Sequence, residues 1–175
     1  MARNRRSLLA ASILLTAAAL CVWTGTRTAR AGTGEQGVRG QTLYVPVYSH
    51  IYGGDKEQRI DLAATLSIRN VDMAHAFSIE AVDYYDTDGV LLKHYIEGPV
   101  TLGPLASTRF VVKESDKSGG SGANFIVRWS AEGPVQPPLV EAVMIGTRNQ
   151  LGISFSAQSR VLATEGGGPE DPDRR

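Results

Sequence analysis

From Ile60 to Ile68 apolar side chains fall on every second residue. Ile60, Leu62, Ala64, Leu66 and Ile68 alternate with Asp61, Ala63, Thr65, Ser67 and Arg69. A period of two belongs to an extended strand with one buried face, not to an amphipathic helix. Phe125, Val127, Trp129 and Ala131 repeat the pattern, interrupted by Ile126 on the polar side. Shorter runs have the same character: Leu43-Val45-Val47, Phe77-Ile79-Ala81, Phe110-Val112, Val143-Ile145 and Ile153-Phe155. Pro46 lies inside the first of these and has no N–H for a ladder bond, which predicts an edge strand or a bulge there.

Turn residues separate the runs. Asp86-Thr87-Asp88-Gly89 divides Val82–Tyr85 from Val90–Leu92, and Asp-Gly supplies the positive φ of a tight hairpin. Gly98-Pro99, Gly103-Pro104, Gly133-Pro134 and Pro137-Pro138 punctuate the remainder. Ser118 to Gly122 holds three glycines and reads as a flexible loop. No window has sustained helical periodicity with caps. The pattern predicts about seven to nine short strands in an all-β antiparallel sandwich or barrel, with an immunoglobulin-like β-sandwich as the expected form. Trp129 is the expected core anchor between the sheets.

Residues 1–31 have the order of a secretory signal peptide. Arg3, Arg5 and Arg6 precede the apolar run Leu8 to Trp23, and Ala29-Arg30-Ala31 is a small-x-small cleavage pattern. Arg5-Arg6 before the run, and Arg27 and Arg30 after it, fit twin-arginine export as well as an ordinary signal. The charge-free stretch Ser7 to Thr26 is also long enough for a retained anchor. Lipid attachment at Cys21 is disfavoured by the bulky Leu20 before it. Cleavage near Ala31 would leave a periplasmic or secreted chain with no membrane span. Residues 32–37 then read as a linker, 38–163 as the β-sandwich domain and 164–175 as a disordered tail, for that last segment is glycine, proline and charge.

Removing the signal changes what chemistry is open. Cys21 is the only cysteine, so the processed chain has no disulfide, no thiol nucleophile and no thiolate metal site. Five of the 18 basic residues precede Gly32 and none of the 18 acidic ones does, which leaves a net charge of −5. An acidic chain lacks the basic footprint that nucleic acid or anionic headgroups require.

The candidate sites are few. Ser118 to Asn124 is glycine-rich, but no lysine and Ser/Thr open a helix after it, as a phosphate-cradling P-loop needs. Ser121 sits in a degenerate nucleophile-elbow pattern without the strand-to-helix turn. His50, His75 and His94 show no paired zinc spacing. Met73 and His75 share a strand period and offer two copper-type donors, while Asn70 and Asp72 beside them suggest a loop. Asp83, Asp86 and Asp88 bracket the hairpin turn, as turn formers or as calcium ligands. Glu141 interrupts the apolar run 139–145 and needs a partner such as Arg128 if it points inward.

Tyr48, His50 and Tyr52 would share one face of an extended segment. We expect this segment to approach the Ser118–Asn124 loop. The expected ligand-binding residues are Tyr48, His50, Tyr52, Ser118, Ser121 and Asn124. No catalytic residue, resident metal or cofactor is assigned.

The segment Thr65 to Val112 resembles bacterial immunoglobulin-like exported modules. It does so through Ser67-Ile68-Arg69-Asn70, Tyr84-Tyr85-Asp86-Thr87-Asp88-Gly89 and Thr101-Leu102-Gly103-Pro104-Leu105-Ala106-Ser107. More closely, residues 40–162 resemble a family of small exported bacterial proteins known only as a domain of unknown function. Leu43 to Tyr52, Ser118 to Phe125 and Val140 to Gly146 carry that likeness. The resemblance implies export and this fold, and no activity. Together these readings describe an exported binding or interaction module for an unknown protein or small-molecule ligand. The alternative is a periplasmic metal-binding protein or enzyme centred on His50.

Overall fold

A computed structural model describes residues 37–147 and 152–165. Within them the chain forms twelve antiparallel strands and no helix. These are β1 (Val38–Pro46), β2 (His50–Gly53), β3 (Gln58–Asp61), β4 (Ala63–Arg69), β5 (Phe77–Tyr85) and β6 (Leu91–His94). They continue with β7 (Val100–Leu102), β8 (Ser107–Val112), β9 (Asn124–Val135), β10 (Leu139–Gly146), β11 (Ile153–Gln158) and β12 (Arg160–Glu165). The signal and linker assignments fall on residues 1–36, outside the described residues. The tail assignment lies outside them too, apart from Thr164 and Glu165, which belong to β12.

Six strands form one sheet in the order β12-β1-β9-β5-β6, with β7 also paired to β5. Four form a second, β11-β10-β4-β8, and β2-β3 is a separate hairpin. The inward residues of both large sheets share one apolar core. Leu43, Val45, Phe77, Ile79, Val82, Phe125, Val127 and Trp129 come from the first; Ala64, Leu66, Ile68, Val112, Val140, Ala142 and Met144 come from the second. Trp129 packs on Phe77 with ring centroids 5.3 Å apart. At the β9 N-terminal end, Tyr84 and Phe125 from the large sheet meet Tyr95 after β6, and Tyr95 meets Phe110 of β8.

Period two locates the buried faces, and its interruptions mark where the chain bends. In β4 every expected inward residue is buried. In β5 the register shifts between Ile79 and Ala81, so the core face moves from Phe77 and Ile79 to Val82 and Tyr84. That bulge turns Asp83 to the face opposite the core, where its carboxylate meets His94 Nδ1 at 2.7 Å. β10 buries Val140, Ala142 and Met144 rather than the Val143–Ile145 face. Glu141 therefore points away from the core and accepts a bond from Gln158 Nε2 at 3.1 Å. Arg128 instead faces Asp83, 3.8 Å away.

The strand count exceeds the expected seven to nine because bends split two long runs. The first stops at Pro46 and resumes at His50; the second breaks between Asp61 and Ala63. The short β7 and the fully exposed β12 carry no alternating burial and left no periodic signal. β1 is not an edge strand, because it lies between β12 and β9. Pro46 is tolerated as its last residue, beyond the final β12 partner at Tyr44. The Asp86–Gly89 turn forms as expected: Gly89 has φ +78°, and Asp86 Oδ1 accepts the N–H groups of Asp88 and Val90.

Candidate functional site

At Ser49 the chain bends, so Tyr48, His50 and Tyr52 do not share one face. Tyr48 turns to β11 and packs edge-on against Phe155, with ring centroids 5.7 Å apart. His50 opens β2 opposite Asp61 of β3, and Tyr52 lies opposite Arg59. The His50 and Tyr52 rings meet edge to face at 5.1 Å, and His50 Nε2 lies 3.0 Å from the Tyr52 hydroxyl. The imidazole is buried while Tyr52 is 57% exposed and roofs it.

The bend brings this segment onto the glycine-rich loop. Val47 N–H donates to Ala123 O and Ser49 N–H to Gly120 O, both at 2.9 Å. His50 and Ser121 each follow a residue of that second bonded pair, so the two segments meet in one corner. The loop is not the loose connection its composition predicts. Thr87 N–H and Oγ1–H both donate to Gly119 O, and Gly122 N–H donates to Thr87 Oγ1. Its glycines answer to close packing. A Cβ at Gly119 would strike the Tyr84 ring and hydroxyl, one at Gly120 would strike Thr87 Oγ1, and Gly120 has φ +77°. Gly119 O, Gly120 O and the Gly122 N–H are thus tied to Thr87 and Ser49, which pins the loop to the turn after β5 and to the β1–β2 bend. Ser118 caps Asp116 through its own N–H and hydroxyl. Asn124 begins β9 between Pro46 and Tyr85.

A buried carboxylate binds the corner together. Asp61 is 3% exposed, receives Arg59 Nε at 2.8 Å on Oδ1 and Lys117 Nζ at 3.1 Å on Oδ2. Lys117 above all, with Arg59, holds the Asp61 carboxyl below the usual carboxylate range against the opposing effect of burial. Burial pulls the His50 imidazole below its ordinary 6.5; Arg59 and Lys117 act in the same direction and Asp61 against it. These effects favour the neutral imidazole, and its Nδ1 is buried with no hydrogen-bond partner among the described residues. Ser49 Oγ and Tyr84 OH lie 3.1 Å apart beneath the loop, and burial pushes the Tyr84 phenol up. Both cations on Asp61 keep a solvent-facing side: the Lys117 and Arg59 side chains are 49% and 40% exposed.

Arg59, Asp61 and Lys117 were not legible as site residues. Alternation alone places Asp61 outward, and only the break before Ala63 buries it alongside Leu62.

Elsewhere Met73 is 81% exposed in a loop, and His75 turns to Asp72 rather than to Met73. Among the described residues no three His, Cys, Asp or Glu side chains come together in a metal-holding group, and no helix is long and apolar enough to cross a membrane.

This all-β architecture, with its corner at one end of the large sheet, defines a β-rich domain. The chain belongs to the protein family of unknown function DUF3124, whose family model matches residues 40–162. No curated protein matches it. A solved structure titled "Crystal Structure of Thermotoga maritima 1070" is similar at a TM-score of 0.43 and 12% identity, over 75% of this chain and 98% of that one.

Proposed function

We propose that the protein is an exported binding module on an immunoglobulin-like sandwich, and that the corner formed by the β2–β3 hairpin and the 118–122 loop takes an anionic group of its ligand. The observation that carries this reading is the buried His50, whose Nδ1 has no hydrogen-bond partner among the described residues, set behind exposed Tyr52 and opposite the Asp61 that holds two half-exposed cations. A buried polar atom without a partner costs free energy, and a ligand atom or bound water relieves that cost. Tyr52 supplies an aromatic contact, while Lys117 and Arg59 supply charge against an otherwise acidic chain. Ser121 offers a hydroxyl at the rim, whereas the Ser118 hydroxyl is already donated to Asp116 and Tyr48 packs away on Phe155. Export rests on the order of charge, apolar run and small residues in 1–31.

Titration of the isotope-labelled protein with acetate, phosphate and sulfate at constant ionic strength tests the binding role. The expected result is saturable shifts confined to residues 49–61 and 117–122, lost in Tyr52→Ala. Uniform small shifts over the whole surface with all three anions would refute it.

A further inference from the structure

At the opposite end of β9 the large sheet opens. Gly40 pairs with Ser130, but the next pair of that ladder is Val38 with Val135, so Ala131 to Pro134 bulge out. On the other side β5 reaches β9 only as far as Ser78↔Ser130. Gly133-Pro134 enforces the break, since proline cannot donate to a ladder. The gap is a groove of about 620 Å³, with the bulge as one wall and residues 74–76 as the other. That volume is in the range of small-molecule sites.

Asp72 fixes the second wall. Its Oδ1 accepts the N–H groups of Ala74 and His75, and its Oδ2 accepts Gln136 N–H, which ties the loop to the end of β9. These backbone donors hold the Asp72 carboxyl well below the usual carboxylate range. His75 Nδ1 lies 3.1 Å from the same Oδ1. Glu132 lines the facing wall and has no ion-pair partner among the described residues. No lysine or arginine lines the groove. Ser130 is occupied with Glu80, while the hydroxyls of Ser78 and Thr101 make no side-chain bond among the described residues. Ala76, Ala131 and Pro134 supply apolar surface.

We propose that this groove is a second binding site, for small organic amines, with the ammonium held by Glu132 and the apolar body resting on Ala76, Ala131 and Pro134. An ammonium has three donors and no acceptor, and the groove offers a carboxylate and hydroxyls with no lysine or arginine among its described lining residues. The site is independent of the His50 corner.

Phenethylamine is the probe, with 2-phenylethanol as its neutral and 3-phenylpropionate as its anionic counterpart, each titrated into the full protein and followed by backbone amide shifts. Phenethylamine should shift residues 74–78 and 131–135 saturably. 2-Phenylethanol should bind about tenfold more weakly, as loss of a charge-assisted bond implies, and Glu132→Gln should weaken the amine by a similar factor. Glu132 is exposed, so the variant's unliganded spectrum should match the parent away from the groove. Absence of saturable shifts, equal binding of amine and alcohol, or an unchanged affinity in Glu132→Gln would each overturn the proposal.

Discussion

Gly119 shows how a residue chosen for space can look like one chosen for mobility. Its place against Tyr84 leaves no room for a side chain, so Gly119→Ala should displace the Tyr84 hydroxyl from Ser49 and cost about 1–3 kcal/mol. Chemical denaturation of the two proteins measures this directly. His50 and Asp61 should each leave a mark on stability against pH. Both have folded pKa values below their unfolded ones, so the unfolded chain takes up their protons first as pH falls. The His50 contribution is complete above about 6.5 and declines below it, whereas that of Asp61 is complete above about 4 and declines as pH falls further. His50→Gln should flatten the stability curve just below pH 6.5, and Asp61→Asn should flatten it only in the acid limb. These residue roles were partly legible. His50 stood out by its aromatic neighbours, but Asp61 did not, because its burial comes from a bend and from a partner 56 residues away at Lys117.

At the scale of elements, alternation identified the strands whose two faces differ and missed those whose faces do not. β4, β9 and the inward face of β1 could be read directly, whereas β7 is three residues long and β12 is exposed on both faces. Bulges were the other blind spot. The shift in β5 reverses which residues face the core after Ile79, and the long bulge in β9 creates the groove. Gly133-Pro134 was the available signal for the second; nothing local announced the first. The β2–β3 hairpin belongs to neither large sheet and is anchored by backbone bonds from Ser49 and by Lys117 on Asp61. Lys117→Ala should therefore raise amide exchange in residues 50–61 while leaving β4 and β9 protected, as expected of a locally opening unit. Equal exchange in parent and variant would show that the ion pair contributes nothing to the anchor. Substitution inside the shared core acts on the whole fold instead: Phe125→Ala, at a fully buried position, should cost about 3–5 kcal/mol.

For the whole molecule, the two large sheets enclose one core and leave the two proposed binding surfaces at the two ends of β9. Sheet ends are where loops can vary while the ladders hold them in place. The N-terminal corner exposes two cations, and the C-terminal groove carries a carboxylate with no ion-pair partner among the described residues, so the two would select opposite charges. If the export reading is right, mass spectrometry of the cell-envelope or secreted fraction should give a chain beginning at Gly32. A full-length chain in the membrane fraction would favour the retained anchor. The central claim concerns the corner, and His50 is its own reporter. An anion bound beside an imidazole favours the protonated form and raises its pKa. The most direct measurement is the His50 imidazole titration by NMR, in chloride and then in phosphate at equal ionic strength. The account predicts a midpoint below 6.5 in chloride that rises in phosphate. A midpoint at or above 6.5 in chloride, or one that phosphate does not move, would contradict it.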